Sequence, residues 1–439
     1  MFSFVWKDCE AISWADLCER QLTSGECFQL QPGTSPAMRC QLRGPASAHA
    51  PLRPAQLRAA AQGVVTTCGT PGELRITGTM LLEDAQVEAW HEAPDLSIEA
   101  GGAFHSKGPL TLTRSTLTDF GFIKPSSAEC CSSRVWRLRQ HSKVFMQNVY
   151  ALKGHGGGFF VVGGANITES GLIHIKNARS ARGGGGFLAT QRLQLTRHST
   201  VSIQHATAAE FGGGFIALDD VVIDGRSNVT VSDAVAAQGG GFQVEKRLQV
   251  TRNSTLNLQN LQAGSGGGFN ALGEVQIGGS STVKLSNCQA VSGDGGGFSA
   301  AKELRVSSGS TLLILNATGK SGGGFHADGK VAISNSTLSI QHAAAAGYGG
   351  GFVAQHKLMI ADMSNLSISD ALAQKGGGFY VVGGLQVTSK STLNLQDVKA
   401  GRNGGGFLSH GEVEIGGSST VKISNSQAIS EDGGGFEAH

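Results

Sequence analysis

Three aspartates lie close together in the chain, at Asp219, Asp220 and Asp224. Clustered carboxylates are the ligands that calcium prefers, and paired carboxylates also act as general acid and base on glycosidic bonds. A polysaccharide lyase would use such acids as calcium ligands beside a basic general base, whereas a hydrolase would use two of them directly. The cluster is therefore the first candidate for an active site.

Histidine and cysteine provide the other reactive groups. His205 and His342 occupy matching places in two similar stretches, and Cys288 is the last of eight cysteines. Five cysteines lie upstream at spacings that match no zinc site, because no CxxC pair occurs. They are Cys9, Cys18, Cys27, Cys40 and Cys68. We expect disulfides among them if the protein is exported and free thiols if it is not, and no bond between the adjacent Cys130 and Cys131.

The elements that position these residues follow a short repeat marked by the tetrapeptide GGGF. Its phenylalanines are Phe159, Phe187, Phe215, Phe242, Phe269, Phe298, Phe325, Phe352, Phe379, Phe407 and Phe436. Their spacing is about 27–29 residues, a period that is typical of solenoids, in which each unit buries its apolar face only against its neighbours. We therefore predict that these phenylalanines form one interior column.

Within each unit, apolar and polar residues alternate in three short runs. One unit shows the inward residues Phe187, Ala189, Leu193, Leu195, Val201 and Ile203. A period of two indicates strands, and no segment is long enough for a helix. The sequence predicts an all-β parallel β-helix with three strands of three to five residues per coil. We expect a right-handed coil, because ~98% of parallel crossover connections are right-handed.

Two turns of the coil have a recognisable chemistry. The glycine triplet precedes the first strand, where side chains would collide with neighbouring coils and where positive φ favours glycine. A polar residue recurs 17 or 18 positions after each phenylalanine: Asn177, His205, Asp233, Asn260, Asn287, Asn316, His342, Asp370, Asp397 and Asn425. These residue types tolerate left-handed backbone, so we predict a polar ladder at one corner.

A larger repeat duplicates a block of five coils, because the stretch that ends at Phe298 returns five coils later and ends at Phe436. The counterparts of the three aspartates are His356, Lys357 and Ala361. The acids are therefore interpreted as a solvated edge and not as a metal or catalytic site.

The same comparison places the histidines and the thiol. His205 and His342 would be about five coils, or ~24 Å, apart, and are expected to be corner residues only. Cys288 has Ser426 as its counterpart and falls in an inward column, which predicts a small buried residue without a nucleophilic role. The other members of that column are Ala234, Leu261, Ala317 and Val398.

The regular helix is predicted to cover 130–439, beginning with a degenerate coil in which Cys130 takes the phenylalanine position and Trp136 and Leu138 the second strand. Weaker coils or a cap are expected over 68–129, around Phe104, Leu110 and Leu112 and around Leu74 and Ile76. Residues 1–67 show no repeat and are interpreted as an irregular or separately folded leader. The chain stops partway through a coil at His439, and we expect continuation or end-to-end association there.

The composition limits the classes of function that the chain can have. All nine prolines precede residue 126, so the remaining chain suits a structure in which nearly every backbone donor is paired. Lysine and arginine total 35 against 33 acidic residues, without a basic run, which disfavours nucleic acid as a partner. No apolar run is long enough for a membrane span, no signal peptide is visible, and no cofactor or metal is predicted.

The coil signature resembles a known superfold. GGGF, a following small residue, paired aliphatics and Ser-Thr-(Leu/Val)-x-(Leu/Ile) are similar to coils of the pectin-lyase-like right-handed β-helices, over about 310 of 439 residues. Among these, the glycine-rich coils look most like those of protist surface proteins and bacterial polymorphic outer-membrane adhesins. The resemblance implies the fold, but the superfold carries lyases, adhesins and tailspikes alike.

Two outward features are candidates for binding. A file of hydroxyls and amides on the third strand comprises Thr200, Asn228, Thr255, Thr282, Thr311, Asn365, Thr392 and Thr420, interrupted nearby by Lys284 and Lys422. It could bind a lattice, although β-propensity and hydrogen bonding along the ladder also explain it. Apolar residues on the outer side of the first strand form two groups: Phe160, Val162, Leu188, Ile216 and Leu218, and Val353, Tyr380, Val382 and Leu408. Exposed apolar patches often mark contact surfaces, so these are the candidate partner patch, with cover by the leader as the alternative.

Three hypotheses follow. The first is a non-catalytic structural or adhesive solenoid, extracellular or on a cell surface, that presents an extended face to protein or glycan partners. The second is a carbohydrate-active enzyme, either a lyase or a hydrolase, and the third is an ice or lattice binder. Six Asn-x-Ser/Thr sequons favour a secreted protein slightly. They begin at Asn166, Asn228, Asn253, Asn316, Asn335 and Asn365.

Overall fold

The protein is all-β over the residues that the structure describes, which are 132–151 and 154–438 with the backbone of ten strands between residues 10 and 120. In this computed structural model, successive coils pair through parallel strands for about 11 turns, and these residues contain no helix. The predicted parallel β-solenoid is therefore confirmed.

Each coil contributes a first, a second and a third strand in chain order. The first strands are Phe159–Ile167, which continues into the second-strand position, Phe187–Ala189, Phe215–Ala217, Phe242–Val244, Phe269–Ala271, Phe298–Ala300, Phe325–Ala327, Phe352–Ala354, Phe379–Val381, Phe407–Ser409 and Phe436–Ala438. The second strands are Ser132–Arg139, Leu193–Leu195, Val221–Ile223, Leu248–Val250, Val275–Ile277, Leu304–Ser307, Val331–Ser334, Leu358–Ala361, Leu385–Val387 and Val413–Ile415.

Seven of the eleven third strands are longer than the three to five residues predicted, and the other four are five residues long with a short further strand after the corner. The third strands are Lys143–Ala151, Leu172–Ser180, Thr200–Ala208, Asn228–Ser232 with Val235–Gln238, Thr255–Ser265, Thr282–Ala290, Thr311–Gly319, Thr337–Ala345, Asn365–Ser369 with Leu372–Ala373, Thr392–Gln396 with Lys399–Ala400, and Thr420–Ser424 with Gln427–Ala428. The difference arises because the polar corner lies inside the strand. Pairing stops at the corner residue and resumes directly after it, as between Gln204 and Ala206.

The corner ladder is confirmed. Every predicted corner residue, and Asn148 upstream, has a left-handed φ between 51° and 55°. Adjacent amides also bond along the axis: Asn287 Nδ2 donates to Asn260 Oδ1 at 2.9 Å, and Asn316 Nδ2 donates to Asn287 Oδ1 at 2.8 Å. His205 and His342 take the same backbone conformation, with φ of 53° each, as expected of corner residues.

The phenylalanines from Phe159 to Phe407 form the predicted interior column, and Phe436, which is 50% exposed, stacks on Phe407. Successive rings from Phe159 to Phe436 stack with centroids 4.6–5.1 Å apart and planes within 10°. Trp136 extends the stack by one ring, 4.2 Å from Phe159. Aromatic pairs normally prefer offset or edge-to-face contacts, so the spacing is imposed by the strand separation of ~4.8 Å.

The glycine triplets allow this close stacking. Gly212 has a φ of +57°, and a Cβ on Gly213 would overlap the carbonyl oxygen of Gly240 in the next coil. The backbones of adjacent turns are thus too close for any side chain, as the sequence predicted.

A ladder of buried serines, which the sequence reasoning missed, lines the turn before the third strand. Its continuous part is Ser199, Ser227, Ser254, Ser281, Ser310, Ser336, Ser364, Ser391 and Ser419, all buried except Ser419. The backbone N–H of each serine donates to the hydroxyl of the next, as from Ser227 to Ser254 at 3.2 Å. The signal was present in the recurrent Ser-Thr and Ser-Asn dipeptides, whose serine precedes the third strand in each of these coils.

The backbone ladder continues upstream of the regular coils. The strands there are Glu10–Ile12, Cys27–Leu30, Cys40–Leu42, Ala55–Leu57, Ala59–Cys68, Leu74–Glu83, Gln86–Glu88, Phe104–Ser106, Leu110–Thr113 and Thr116–Phe120. Leu110–Thr113 pairs in parallel with both Leu74–Glu83 and Ser132–Arg139, placing Trp136 and Leu138 on the second-strand column as predicted. The domain boundaries remain predictions, and the interpretations of Cys130, Cys131 and the five upstream cysteines concern side chains outside the described residues.

Candidate binding faces

The outer side of the first strands is partly enclosed, which corrects the predicted patch. Leu188, Ile216, Val353 and Leu408 were expected outside but are only 1–3% exposed. The turn before each glycine triplet folds over them: a Cβ on Gly183 would overlap the Ile216 side chain, and one on Gly349 would lie 3.0 Å from Val353 Cγ2. These residues are therefore covered and do not form a free surface; we call the enclosed outer side of the first strands the channel, and these covered residues its floor.

The remaining members of the patch are at least partly exposed. Val162, Leu218 and Val382 are 47%, 41% and 37% exposed, and Phe160 and Tyr380 are intermediate. Direct register joins Phe160, Leu188 and Ile216 in one group, and Val353, Tyr380 and Leu408 in another. The two predicted groups therefore exist, but their exposed parts are the channel's outer edges.

An aromatic row crosses the second group. The Tyr348 ring lies 5.0 Å from that of Tyr380, which meets the His410 ring edge-on at 5.4 Å. Burial, together with the neighbouring Tyr348 hydroxyl, raises the pKa of Tyr380. The sequence reasoning missed Tyr348 and His410, although Tyr348 directly precedes a glycine triplet and His410 directly follows a first strand.

A histidine occupies the same floor in a neighbouring coil. His326 is 8% exposed, and its Nε2 lies 3.2 Å from Asp328 Oδ1, while its Nδ1 lies 3.6 Å from Asp294 Oδ2. In the described part of the chain, His326 Nδ1 and Asp294 Oδ1 are buried without a hydrogen-bond partner. The sequence reasoning did not single out this histidine.

The three aspartates are paired with basic residues from adjacent coils, which corrects the interpretation of a solvated acidic edge. Asp220 is 8% exposed and contacts Arg192 at 3.0 Å and Arg247 at 3.6 Å. The hydrogen bond from Lys246, 3.1 Å away, lowers the pKa of Asp219.

Asp224 completes this pattern with Arg252 at 3.2 Å, beside an open groove of ≈ 540 Å³. Each carboxylate thus balances a cation one coil away. These ion pairs were not predicted from the sequence, because the two residues of each pair are far apart in the chain. Among the described residues, no group of three or more His, Cys, Asp or Glu is placed to hold a metal ion.

Cys288 is buried as predicted, at 1% exposure. Burial raises the pKa of its thiol to about 12, so the reactive thiolate is strongly disfavoured. It lies in register with Leu261 and Ala317, in the inward column assigned to it.

The outward side of the third strands forms a flat polar face. The predicted threonine file is in register from Thr200 to Thr420 and also contains Thr337, which was overlooked. Two further files run beside it, and one of these contains Lys284 and Lys422. We call these three files, over the strands from Thr200 to Ser424, the third-strand face.

Comparisons with known proteins do not extend this description: no protein-family model, curated protein or solved structure matches the chain. Within the part of the chain that the structure describes, no helix has the length and apolar character needed to cross a membrane.

Proposed function

We propose that this protein is a non-catalytic structural or adhesive solenoid, extracellular or on a cell surface, that presents an extended face to protein or glycan partners. The right-handed, pectin-lyase-like geometry and the likeness of the GGGF coils to protist surface proteins and bacterial adhesins belong to the same proposal.

The observation that carries the proposal is the aromatic row of Tyr348, Tyr380 and His410. Three rings from three successive coils face the channel edge, and Tyr348 is 44% exposed. Aromatic side chains combine a large apolar surface with a polar group, which suits both protein contacts and the flat faces of sugar rings. Val382, 37% exposed, extends the apolar part of this surface.

The accessible sequons support the location on a cell surface. Asn253 and Asn335 are exposed and lie outside the third strands. We expect Asn316 to be a poor acceptor, because its Nδ2 donates to Asn287 Oδ1 in the corner ladder. Mass spectrometry of the native protein would identify attached glycans.

The proposal is tested by binding of the labelled protein to an array of neutral polysaccharides and purified surface glycoproteins. Replacing Tyr348 and Tyr380 together by Ala should weaken the binding by about tenfold, since each aromatic contact contributes about 0.5–1.5 kcal/mol beyond its buried area. The matched control changes their counterparts in the other block, Phe211 and Gln243, to Ala. No binding by the unaltered protein, or equal losses in both variants, would contradict the proposal.

The alternative is a carbohydrate-active enzyme, and the His326 group favours it because a buried histidine between two carboxylates can serve as a general base. Incubation with pectin and alginate, with and without calcium, separates the two functions. Turnover by the unaltered protein that is lost in His326→Ala or Asp220→Ala would support the enzyme and contradict the non-catalytic function.

A further inference from the structure

The duplicated blocks show which outward residues the protein retains. The third-strand face has three outward positions in each of four coil pairs, and eleven of these twelve pairs are identical, the twelfth being Thr230 and Ser367. The first block reads Thr200, Ser202, Gln204, Asn228, Thr230, Ser232, Thr255, Asn257, Gln259, Thr282, Lys284 and Ser286. The second reads Thr337, Ser339, Gln341, Asn365, Ser367, Ser369, Thr392, Asn394, Gln396, Thr420, Lys422 and Ser424.

The buried side of the same strands is retained less well. Only four of its eight inward pairs are identical, and the others exchange Val, Leu and Ile, as between Val201 and Leu338. A recent duplication would leave both sides equally unchanged. The identity of the outer side therefore requires a cause that acts on that side alone.

The requirements of folding do not explain why these outward residues are retained. In the described structure, Gln396 is the only one of these outward side chains that makes a hydrogen bond, to Asp397 in the corner, so the expected hydrogen bonding along the ladder is not what holds the file. β-propensity does not account for lysine at Lys284 and again at Lys422, since lysine is depleted in strands. The side chains instead present unused donors and acceptors outward.

The chemistry of this face selects an occupant. It contains hydroxyls, amides and two ammonium groups and no carboxylate, and its only apolar residues are Leu313 and Leu315 in the fifth coil of the first block. Protein interfaces are enriched in aromatic residues and depleted in lysine and serine. Single-stranded nucleic acid is held by stacking on aromatic side chains and by dense positive charge, which this face also lacks.

We infer that the third-strand face is a duplicated binding site for a linear acidic polysaccharide, in which hydroxyl and amide side chains meet sugar hydroxyls and Lys284 and Lys422 each meet an acidic group. The inference rests on the proposed display function, but it concerns a different face from the aromatic row. The two copies lie five coils apart, ~24 Å along one straight face, so a single polymer chain can engage both.

The test measures binding of the full chain to alginate and to dextran sulfate, which separate carboxylate from sulfate recognition, with neutral dextran as the reference. Lys284→Glu and Lys422→Glu should each weaken binding of the preferred polymer at least about tenfold, because each removes a charge-assisted hydrogen bond. The unaltered protein should bind polymers longer than the ~24 Å span more tightly than short oligomers. The double variant should lose this preference. Lys284→Arg with Lys422→Arg should bind within about threefold of the unaltered protein, since charge and donors remain.

The matched control is Lys302→Glu with Lys357→Glu, which makes the same change of net charge at two exposed lysines on another side of the rod. It should leave binding unchanged within about twofold, because screened charges at that distance contribute little. Equal losses in the two double variants, no preference for either acidic polymer over dextran, or equally strong competition by single-stranded DNA would overturn the inference. Retained acidic-polymer binding in the Tyr348→Ala and Tyr380→Ala variant separates this site from the aromatic row, so either proposal can fail alone.

Discussion

The first-strand and third-strand faces differ in how many of their residues changed between the two duplicated blocks. Across the duplicated blocks, the residue after the column phenylalanine differs in all five pairs, as in Leu188 and His326 or Gln243 and Tyr380. The third-strand face differs in one pair of twelve. Both faces are mounted on the same interior, so the contrast cannot come from the fold. It indicates that residues lining the channel changed after the duplication, which produced the aromatic row and the His326 group. The residues of the third-strand face were retained.

The largest expected effect comes from removing the interior that the two faces share. Phe269→Ala would open a cavity at a site that is 1% exposed, between rings at 5.0 and 4.6 Å, and should lower the free energy of unfolding by about 3–5 kcal/mol. Chemical denaturation measures this loss. Phe145→Ala is the control, because Phe145 is partly exposed and lies outside the stack. Similar losses in the two variants would show that the stack is not the main stabilising element.

A smaller effect distinguishes buried from outward hydroxyls on one strand. Ser254→Ala removes the acceptor of the buried Ser227 N–H and should cost about 1–3 kcal/mol of unfolding free energy. The adjacent Thr255→Ala removes an outward hydroxyl without a bond in the described structure and should cost less than about 1 kcal/mol. Thermal or urea unfolding of the pair checks the difference. A larger loss in Thr255→Ala would mean that the outer file is structural, and the contrast between the faces would lose its basis.

The periodic features of the fold could be predicted from the sequence, because each depends on one residue type at one position. The phenylalanine column, the glycine turns and the left-handed corner follow from ring burial, from the absence of a Cβ and from the backbone tolerance of Asn, Asp and His. The predicted length was too short for seven of the eleven third strands, because a left-handed residue interrupts pairing for one position only. Such an interruption looks like a strand end when the sequence is read alone.

The surface was harder to predict, because exposure depends on what neighbouring turns cover. Ile216 alternates correctly for an outward residue, yet the turn at Gly183 folds over it. Asp220 has no visible partner within its own coil, since Arg192 belongs to the coil before it and Arg247 to the coil after it. The aromatic row likewise joins Tyr348, Tyr380 and His410 from different coils. Each of these arrangements requires the register of two or three coils.

The most direct test of the account asks whether the third-strand face is retained for binding and not for folding. Asn257 and Asn394 are identical counterparts on that face, and neither side chain makes a hydrogen bond in the described part of the chain. Replacing both by Val should leave the free energy of unfolding unchanged within about 0.5 kcal/mol, while binding of the acidic polysaccharide falls severalfold. A loss of more than about 1 kcal/mol for each substitution, with binding by the folded protein unchanged, would contradict the account.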